Sequence, residues 1–312
     1  MFKYMSTRQK KPSVSIVVVV YRMKDQAMKT LESLTDAYQC GISRDKYEVV
    51  IVENPSDQML DSHSVCALGP QFRYYSMDNI SASPVAAVNF GIENCRAPFI
   101  GLMIDGARLL TPGVLHYALQ AYAITENAIV AVPGYHLGKK LQQLSAGSGY
   151  DKHVEEELLE SIHWPENGYA LFKVSCFSGS CAGGFFRPIA ESNCLFAPAM
   201  VLRKLGGCDP GFTSAGGGYV NLDLYRRLCE EPETTLFMLP GEGTFHQFHG
   251  GVTTSKQYGD VVSLQQQMLA EYENLRGKKY RVPDVSAIFL GEIGLEVMPF
   301  VMSSAQQAIN ID

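Results

Sequence analysis

Positive charge is in short supply. The 312 residues carry 26 Lys and Arg against 32 Asp and Glu, a formal net charge of −6. The basic footprint of a nucleic-acid-binding chain is therefore missing. Lys3, Arg8, Lys10 and Lys11, ahead of the first apolar run, read as a solvated terminus. Long apolar runs are missing too. Nothing approaches the roughly 18 uninterrupted residues of a membrane span, and the stretch Phe289–Met302 is broken by Glu292, Glu296 and Pro299. The first apolar run, Val14–Val20, is too short and too rich in Val to be a signal peptide, so a cytoplasmic protein is expected. The eight cysteines are scattered without a CxxC pair. Reduced, mostly buried thiols are expected, with Cys176 and Cys181 in one loop a remote candidate for zinc or a disulfide. There is one tryptophan, Trp164, and no internal repeat or low-complexity run. Neither GxGxxG opening a helix after the first strand nor GxxxxGK[ST] occurs, which argues against dinucleotide and P-loop sites.

What is present has the composition of a globular enzyme, 46% apolar and 19% charged. It also has a rhythm. Val14–Val20 reads as a buried strand, followed by a helix capped by Asp25 with Met28, Leu31, Leu34 and Tyr38 at helical spacing. Strands follow at Tyr47–Val52, Gln71–Tyr75, Phe99–Ile104 and Ile129–Val132, with helices opened by Pro84 and Gly113 between them. This alternation predicts an α/β fold with a doubly wound, mostly parallel, Rossmann-like sheet. From Tyr135 to Ser192 the pattern turns irregular, with a charged helix near Val154–Ile162. A strand at Cys194–Ala197 and helices at Pro198–Leu205 and Val220–Glu230 follow. A strand near Thr235–Leu239 and a helix at Leu264–Leu275 close the pattern. The expected organisation is a tail at 1–12, a first half at 13–134, a second half of the same domain at 135–260, and a C-terminal helix and tail at 261–312.

Chemistry gathers where strands end. Phe99–Ile104 stops at Asp105, Val14–Val20 at Tyr21-Arg22, and Tyr47–Val52 at Glu53-Asn54. Open α/β sheets bind ligands at the carboxyl ends of their strands. A carboxylate at Asp105 suits a metal–diphosphate there, although it also suits a strand-terminating turn. Tyr21 can stack on a base, Glu53 can accept from a base or ribose, and Arg22 can neutralise a phosphate; packing and solvated charge would explain these side chains equally well. Glycines crowd the later loops, from Gly206 through Gly216-Gly217-Gly218 to Gly251, as expected where backbone approaches a ligand or takes positive φ.

Five segments in order resemble glycosyltransferase family 2. They are Ser13–Arg22 (SVSIVVVVYR), Tyr47–Ser56 (YEVVIVENPS), Ser83–Ile92 (SPVAAVNFGI), Phe99–Gly113 (FIGLMIDGARLLTPG) and Leu205–Leu228, and they cover roughly residues 13 to 255. The resemblance implies the GT-A fold with an irregular α+β acceptor side. It also implies a nucleotide-diphosphate-sugar donor (a UDP- or GDP-sugar), a divalent cation and a hydroxyl acceptor such as a saccharide. Tyr21 and Glu53 match positions that hold the base and ribose, and Arg22 and Asn54 stand beside them. Asn89 matches the Asn of the helix beneath the donor. Asp105 matches the first Asp of the family's DxD motif, with Gly106 and Ala107 following. Leu205-Gly-Gly-Cys-Asp209 resembles LGGFD, and Val220–Leu224 lies where the family usually has EDxDL.

Two departures stand out. Ala107 replaces the second Asp of DxD, and Asn221 replaces the acid that usually removes the acceptor proton. Asp223, two residues along a helix and so turned by roughly 200°, cannot simply replace it and is as well explained by pairing with Arg226 or Arg227. Glu191 is the leading replacement base, with Ser192, Asn193, Gly217 and Gly218 on the acceptor side. Trp164 is either a sugar-stacking surface or a packed core residue. His246 and His249, in the Gly-rich segment Gly241–Thr254, can complete a Mn²⁺ or Mg²⁺ site with Asp105. The expectation is a metal-assisted glycosyltransferase of surface-polysaccharide or glycoconjugate assembly. The alternatives are a catalytically impaired nucleotide-sugar binder or scaffold of the same fold and, less favoured, a nucleotidyltransferase.

Overall fold

The computed structural model describes residues 11–79, 81–145, 149–249 and 258–309. The basic Lys3, Arg8 and Lys10 and the glycines Gly250 and Gly251 lie outside the described residues. The first half builds β1 (Val14–Val20), α1 (Lys24–Glu32), β2 (Tyr47–Glu53), α2 (Ser62–Ala67), β3 (Phe72–Ser76), α3 (Val85–Asn94) and β4 (Phe99–Met103). Then come β5 (Arg108–Leu110), α4 (Val114–Ile124), β6 (Ala128–Ala131) and β7 (Gly134–Leu137). The irregular stretch holds α5 (Gln142–Ser145), α6 (Lys152–Ser161) and β8 (Ser175–Phe177). Next are β9 (Leu195–Pro198), α7 (Ala199–Lys204), α8 (Val220–Cys229), β10 (Thr235–Met238) and β11 (Thr244–His246). The chain closes with α9 (Tyr258–Arg276), β12 (Ile288–Phe289) and α10 (Met298–Ile309).

An eight-stranded sheet runs β12-β10-β6-β9-β4-β1-β2-β3. Its pairings are parallel except for β9, which lies antiparallel between β4 and β6. The pleat explains why β1 is so uniformly apolar. Val14, Ile16, Val18 and Val20 point into one core, with Leu31 of α1 and Val114 of α4. Val17 and Val19 point into the other, with Val88 of α3 and Leu224 of α8. No helix among the described residues is long and apolar enough to cross a membrane.

Two expectations are corrected. Asp25 does not cap α1: the cap position is Met23, and Asp25 sits in the first turn, where it accepts from Lys152 Nζ at 2.6 Å. The helix stops at Glu32 because Ser33 Oγ and Thr35 Oγ1 turn back onto the Thr30 and Glu32 carbonyls. Leu34 and Tyr38 are buried from the turn that follows, Tyr38 donating to the Leu110 carbonyl. The second correction is a four-stranded sheet, β5-β11-β7-β8, that the rhythm did not predict. Its three- and four-residue strands are too short for a period to show. It carries His246 at the end of β11, opposite Arg108 of β5.

Candidate active site

Parallel register brings the predicted turns together. Val20 of β1 pairs with Glu53 of β2, and Val18 with Met103 of β4, so the residues after each strand emerge along one edge. A cleft of about 450 Å³ opens there. Tyr21, Arg22, Asn54, Asp105, His246 and His249 line one part of it, and Glu191, Asn193, Gly218 and Asn221 another. Gly106 is required by close approach: a Cβ there would lie 2.6 Å from the Val19 carbonyl oxygen. Gly216, Gly217 and Gly218 all hold positive φ, at 71°, 88° and 53°. Three consecutive left-handed residues are accessible only to glycine at low cost.

Asp105 is the centre of the cleft's charge. Its Oδ1 accepts from the Ala107 amide at 3.1 Å, closing the turn after β4. Its Oδ2 lies 3.2 Å from His246 Nε2, its Oδ1 3.7 Å from His249 Nε2, and the two imidazole nitrogens are 3.2 Å apart. One ligand atom from each of the three residues falls within 4.8 Å of the others. One carboxylate and two imidazoles form a donor set suited to a divalent transition ion. The tautomer fits as well. Gln142, fully buried, spends its amide N–H groups on the His246 carbonyl and on Glu155, which leaves its Oε1 to accept from His246 Nδ1 at 2.5 Å. Nε2 therefore carries the lone pair that faces Asp105.

Burial pushes His246 down to about 4, against the pull of Asp105. Its neighbour His136, stacked on it at 5.1 Å, falls to about 2 through burial. Burial alone would raise the Asp105 carboxyl, but His246 first, then Arg108 and His249, hold it well below the usual range. With His246 neutral at pH 7, the permanent charge among these is Arg108, whose Nε donates to Asp105 Oδ2 at 3.1 Å. Arg108 is only 7% exposed, and its Nη1 has no partner among the described residues. Sequence reasoning missed Arg108, whose signal was its i+3 spacing from Asp105. It also missed Gln142 and Glu155, which gave none. Glu155 accepts from the Phe248 amide at 2.6 Å and so ties α6 to the segment between the two histidines.

Across the cleft, Glu191 Oε2 accepts from Asn221 Nδ2 at 2.7 Å and its Oε1 from Ser180 Oγ at 2.7 Å. Asn221 also donates to the Ser192 carbonyl, tying α8 to the segment before β9.

Other candidates sit elsewhere. Glu53 is fully buried, and its carboxylate accepts from the Leu60 amide and the Tyr74 hydroxyl, so it does not line the cleft. Asn54 takes that place, 2% exposed, its Oδ1 without a partner among the described residues. Asn89 clamps Cys208 by its amide and carbonyl and holds the loop of Gly206-Gly207 against α3. Ala107 is buried in the apolar core beneath α1 and α4. Asp223 is 1% exposed and paired with Arg227 and Arg276, away from the cleft. Ser192 knots β6 to β9 through Val132 and Cys194. Trp164 packs against the core, 6.3 Å from the Tyr38 ring, rather than presenting a free face in the cleft. Gly217 precedes the lining residue Gly218 and is itself buried against Pro84.

The sequence matches the family described as glycosyl transferase family 2 over residues 15–191. No curated protein matches it significantly. Among solved structures it is similar to Staphylococcus aureus TarS 1-349 in complex with UDP-GlcNAc. The TM-score is 0.52 at 12% identity, over 96% of this chain and 73% of that one. It is also similar to the mannosyltransferase PcManGT from Pyrobaculum calidifontis in complex with GDP-Man and Mn²⁺. There the TM-score is 0.53 at 12% identity, over 96% of this chain and 71% of the other. The chain spans 66% of TarS 1-349 in a further structure and 44% of full TarS. At this identity the likeness establishes the fold, which is GT-A.

Proposed function

Because the chain belongs to glycosyl transferase family 2, we propose that its cleft binds a nucleoside-diphosphate sugar and passes the sugar to a hydroxyl acceptor. The observation that carries this reading is the convergence of Asp105, His246 and His249 at the strand edge where such folds bind nucleotides. Tyr21, Arg22, Asn54 and the Asp105-Gly106 turn would hold the donor. Asp105, His246 and His249 would hold a divalent cation, Mn²⁺ by the imidazole content, and when bound that ion would neutralise charge on the leaving diphosphate. Arg108, fixed beside Asp105, adds positive charge that does not depend on an ion. The structures with UDP-GlcNAc and with GDP-Man support a UDP- or GDP-sugar as the donor class.

Glu191 is placed to take the acceptor's proton. The acceptor oxygen bonds to the anomeric carbon, that carbon's bond to the diphosphate oxygen breaks, and the proton passes to a Glu191 oxygen. Asn221 stands where the family pattern has an acid. Its amide donates to Glu191 and so fixes the carboxylate that does the work in its place. Ala107 stands at the second acid of DxD, and its methyl is buried in the apolar core. Asn193 and the Gly217-Gly218 turn would meet the acceptor, which we take to be a saccharide in surface-polysaccharide or glycoconjugate assembly.

The test is thermal stabilisation by UDP, GDP, CDP and dTDP and their sugars, with and without Mn²⁺. A ligand at 100 times its Kd raises stability by about 2.7 kcal/mol. A Mn²⁺-dependent shift for one base is expected. No shift with any nucleotide would overturn the proposal. The absence of two family acids favours a second reading, a donor-binding protein without turnover, and release of free nucleotide in the presence of saccharide acceptors separates the two.

A further inference from the structure

The chain's negative net charge hides an uneven distribution. At the opposite end of the same strands, where β1, β2 and β4 begin, lies a groove of about 1000 Å³ that the proposed reaction does not use. Its apolar lining comes from Ile42, Leu119, Tyr122 and Pro98. Its rim carries Lys11, Lys46, Arg96 and Arg203, and none of its lining residues is acidic. Of the flanking acids, Glu48 pairs with Arg73 and Arg96, Asp45 accepts from Ser43 Oγ and keeps its charge, and Glu126 stands exposed beyond Ile124, so the rim's positive charge rests on Lys11, Lys46 and Arg203. Large apolar side chains stand out beside the rim. Met200, one turn before Arg203 on the same face of α7, is 73% exposed, and Ile124 at the end of α4 is 62% exposed.

We propose that this face docks the chain onto an anionic membrane surface. Clustered Lys and Arg each gain about 1 kcal/mol near such a surface, and protruding apolar side chains enter the headgroup boundary. A soluble anion would use the charges but leave Met200 and Ile124 in water, which is why a bilayer is the better fit. A seven-residue strand such as β1 spans about 23 Å, so the docked face and the cleft lie at opposite ends of the sheet.

The test is co-sedimentation of the full chain with phosphatidylcholine vesicles, with and without phosphatidylglycerol, at low and at about 1 M salt, where charges are screened beyond about 3 Å. Binding to the anionic vesicles only, and its release by salt, is expected. Combined Lys46→Glu and Arg203→Glu should lower the bound fraction at least about tenfold. Met200→Ser should weaken binding while keeping its salt dependence. An unchanged melting temperature in these surface variants shows that the fold is intact. The proposal is overturned by equal binding to neutral vesicles or by no binding to anionic ones. It also fails if millimolar inorganic phosphate displaces the chain completely, or if a polyanion such as polyphosphate binds it while vesicles do not.

Discussion

Asp105 and Asp223 are two carboxylates in arginine company, one half-buried in the cleft and one fully buried, and they do opposite things. Asp223 is saturated: Arg227 reaches it from one turn along α8 at 2.8 Å, and Arg276 of α9 at 2.7 Å. Arg276 also takes Asp209, and Arg227 also takes the Leu205 and Gly207 carbonyls. The result is a knot that fastens α9 and the Gly206-Gly207 loop to α8. Asp105 has one arginine and two imidazoles, and His246 turns a bare Nε2 toward it. Surplus donor atoms facing one another make a ligand site; donors and acceptors that cancel make a structural joint.

The sharpest way to break the contrast is Asp105→Asn. It should lower the transfer rate about 10³-fold, as loss of a main electrostatic group does, and abolish the Mn²⁺-dependent nucleotide shift. If that shift survives, Asp105 is not the ligand. Asp223→Asn should do the reverse. Denaturant unfolding should show a loss of about 3 kcal/mol, because Arg227 is left part-buried without its counter-charge and Arg276 keeps only Asp209, while nucleotide affinity stays within about twofold. A drop in affinity without a drop in stability would move Asp223 into the site.

Glu191→Gln tests the acceptor side against the donor side. Turnover should fall about 10²-fold, with the nucleotide shift unchanged. Equal loss of both would make Glu191 a donor-binding group instead. The smallest effect is pH-dependent. Burial pushes Glu155 up to about 7 from an ordinary value near 4.5. An acid whose folded value is raised is favoured in its protonated form, so its contribution to stability is present below about pH 4.5 and is lost as pH rises to about 7. The wild-type chain should therefore lose stability across that window, and melting curves of Glu155→Gln should show a flatter slope. An identical slope would place the Glu155 titration elsewhere.

The cleft-lining elements were more legible than the support behind them. β1 and β2 announce themselves as β-branched runs and β4 as a short apolar one, and their carboxyl ends put Tyr21, Asn54 and Asp105 on one edge by parallel register alone. Glu53 misled because a residue at a strand end can point to either face. Here the pleat sends it under Leu60 and Tyr74, and the next residue reaches the cleft. Trp164 stayed open between two readings because polar neighbours in sequence say nothing about a ring that folds back onto Tyr38. Gln142 and Glu155 were invisible for a different reason. They act through hydrogen bonds to His246 and Phe248 across about a hundred residues of chain, and no local pattern encodes such a contact.

The three glycines at 216–218 set a boundary for anyone wishing to redirect the cleft to a new acceptor. Their left-handed backbone closes that stretch of wall to side-chain engineering, since any library member at those positions begins with a strained main chain. Diversity belongs at the neighbours that also face the cavity, Ala215, Leu222 and Met268. There, size and polarity can be varied without asking the backbone to change hands.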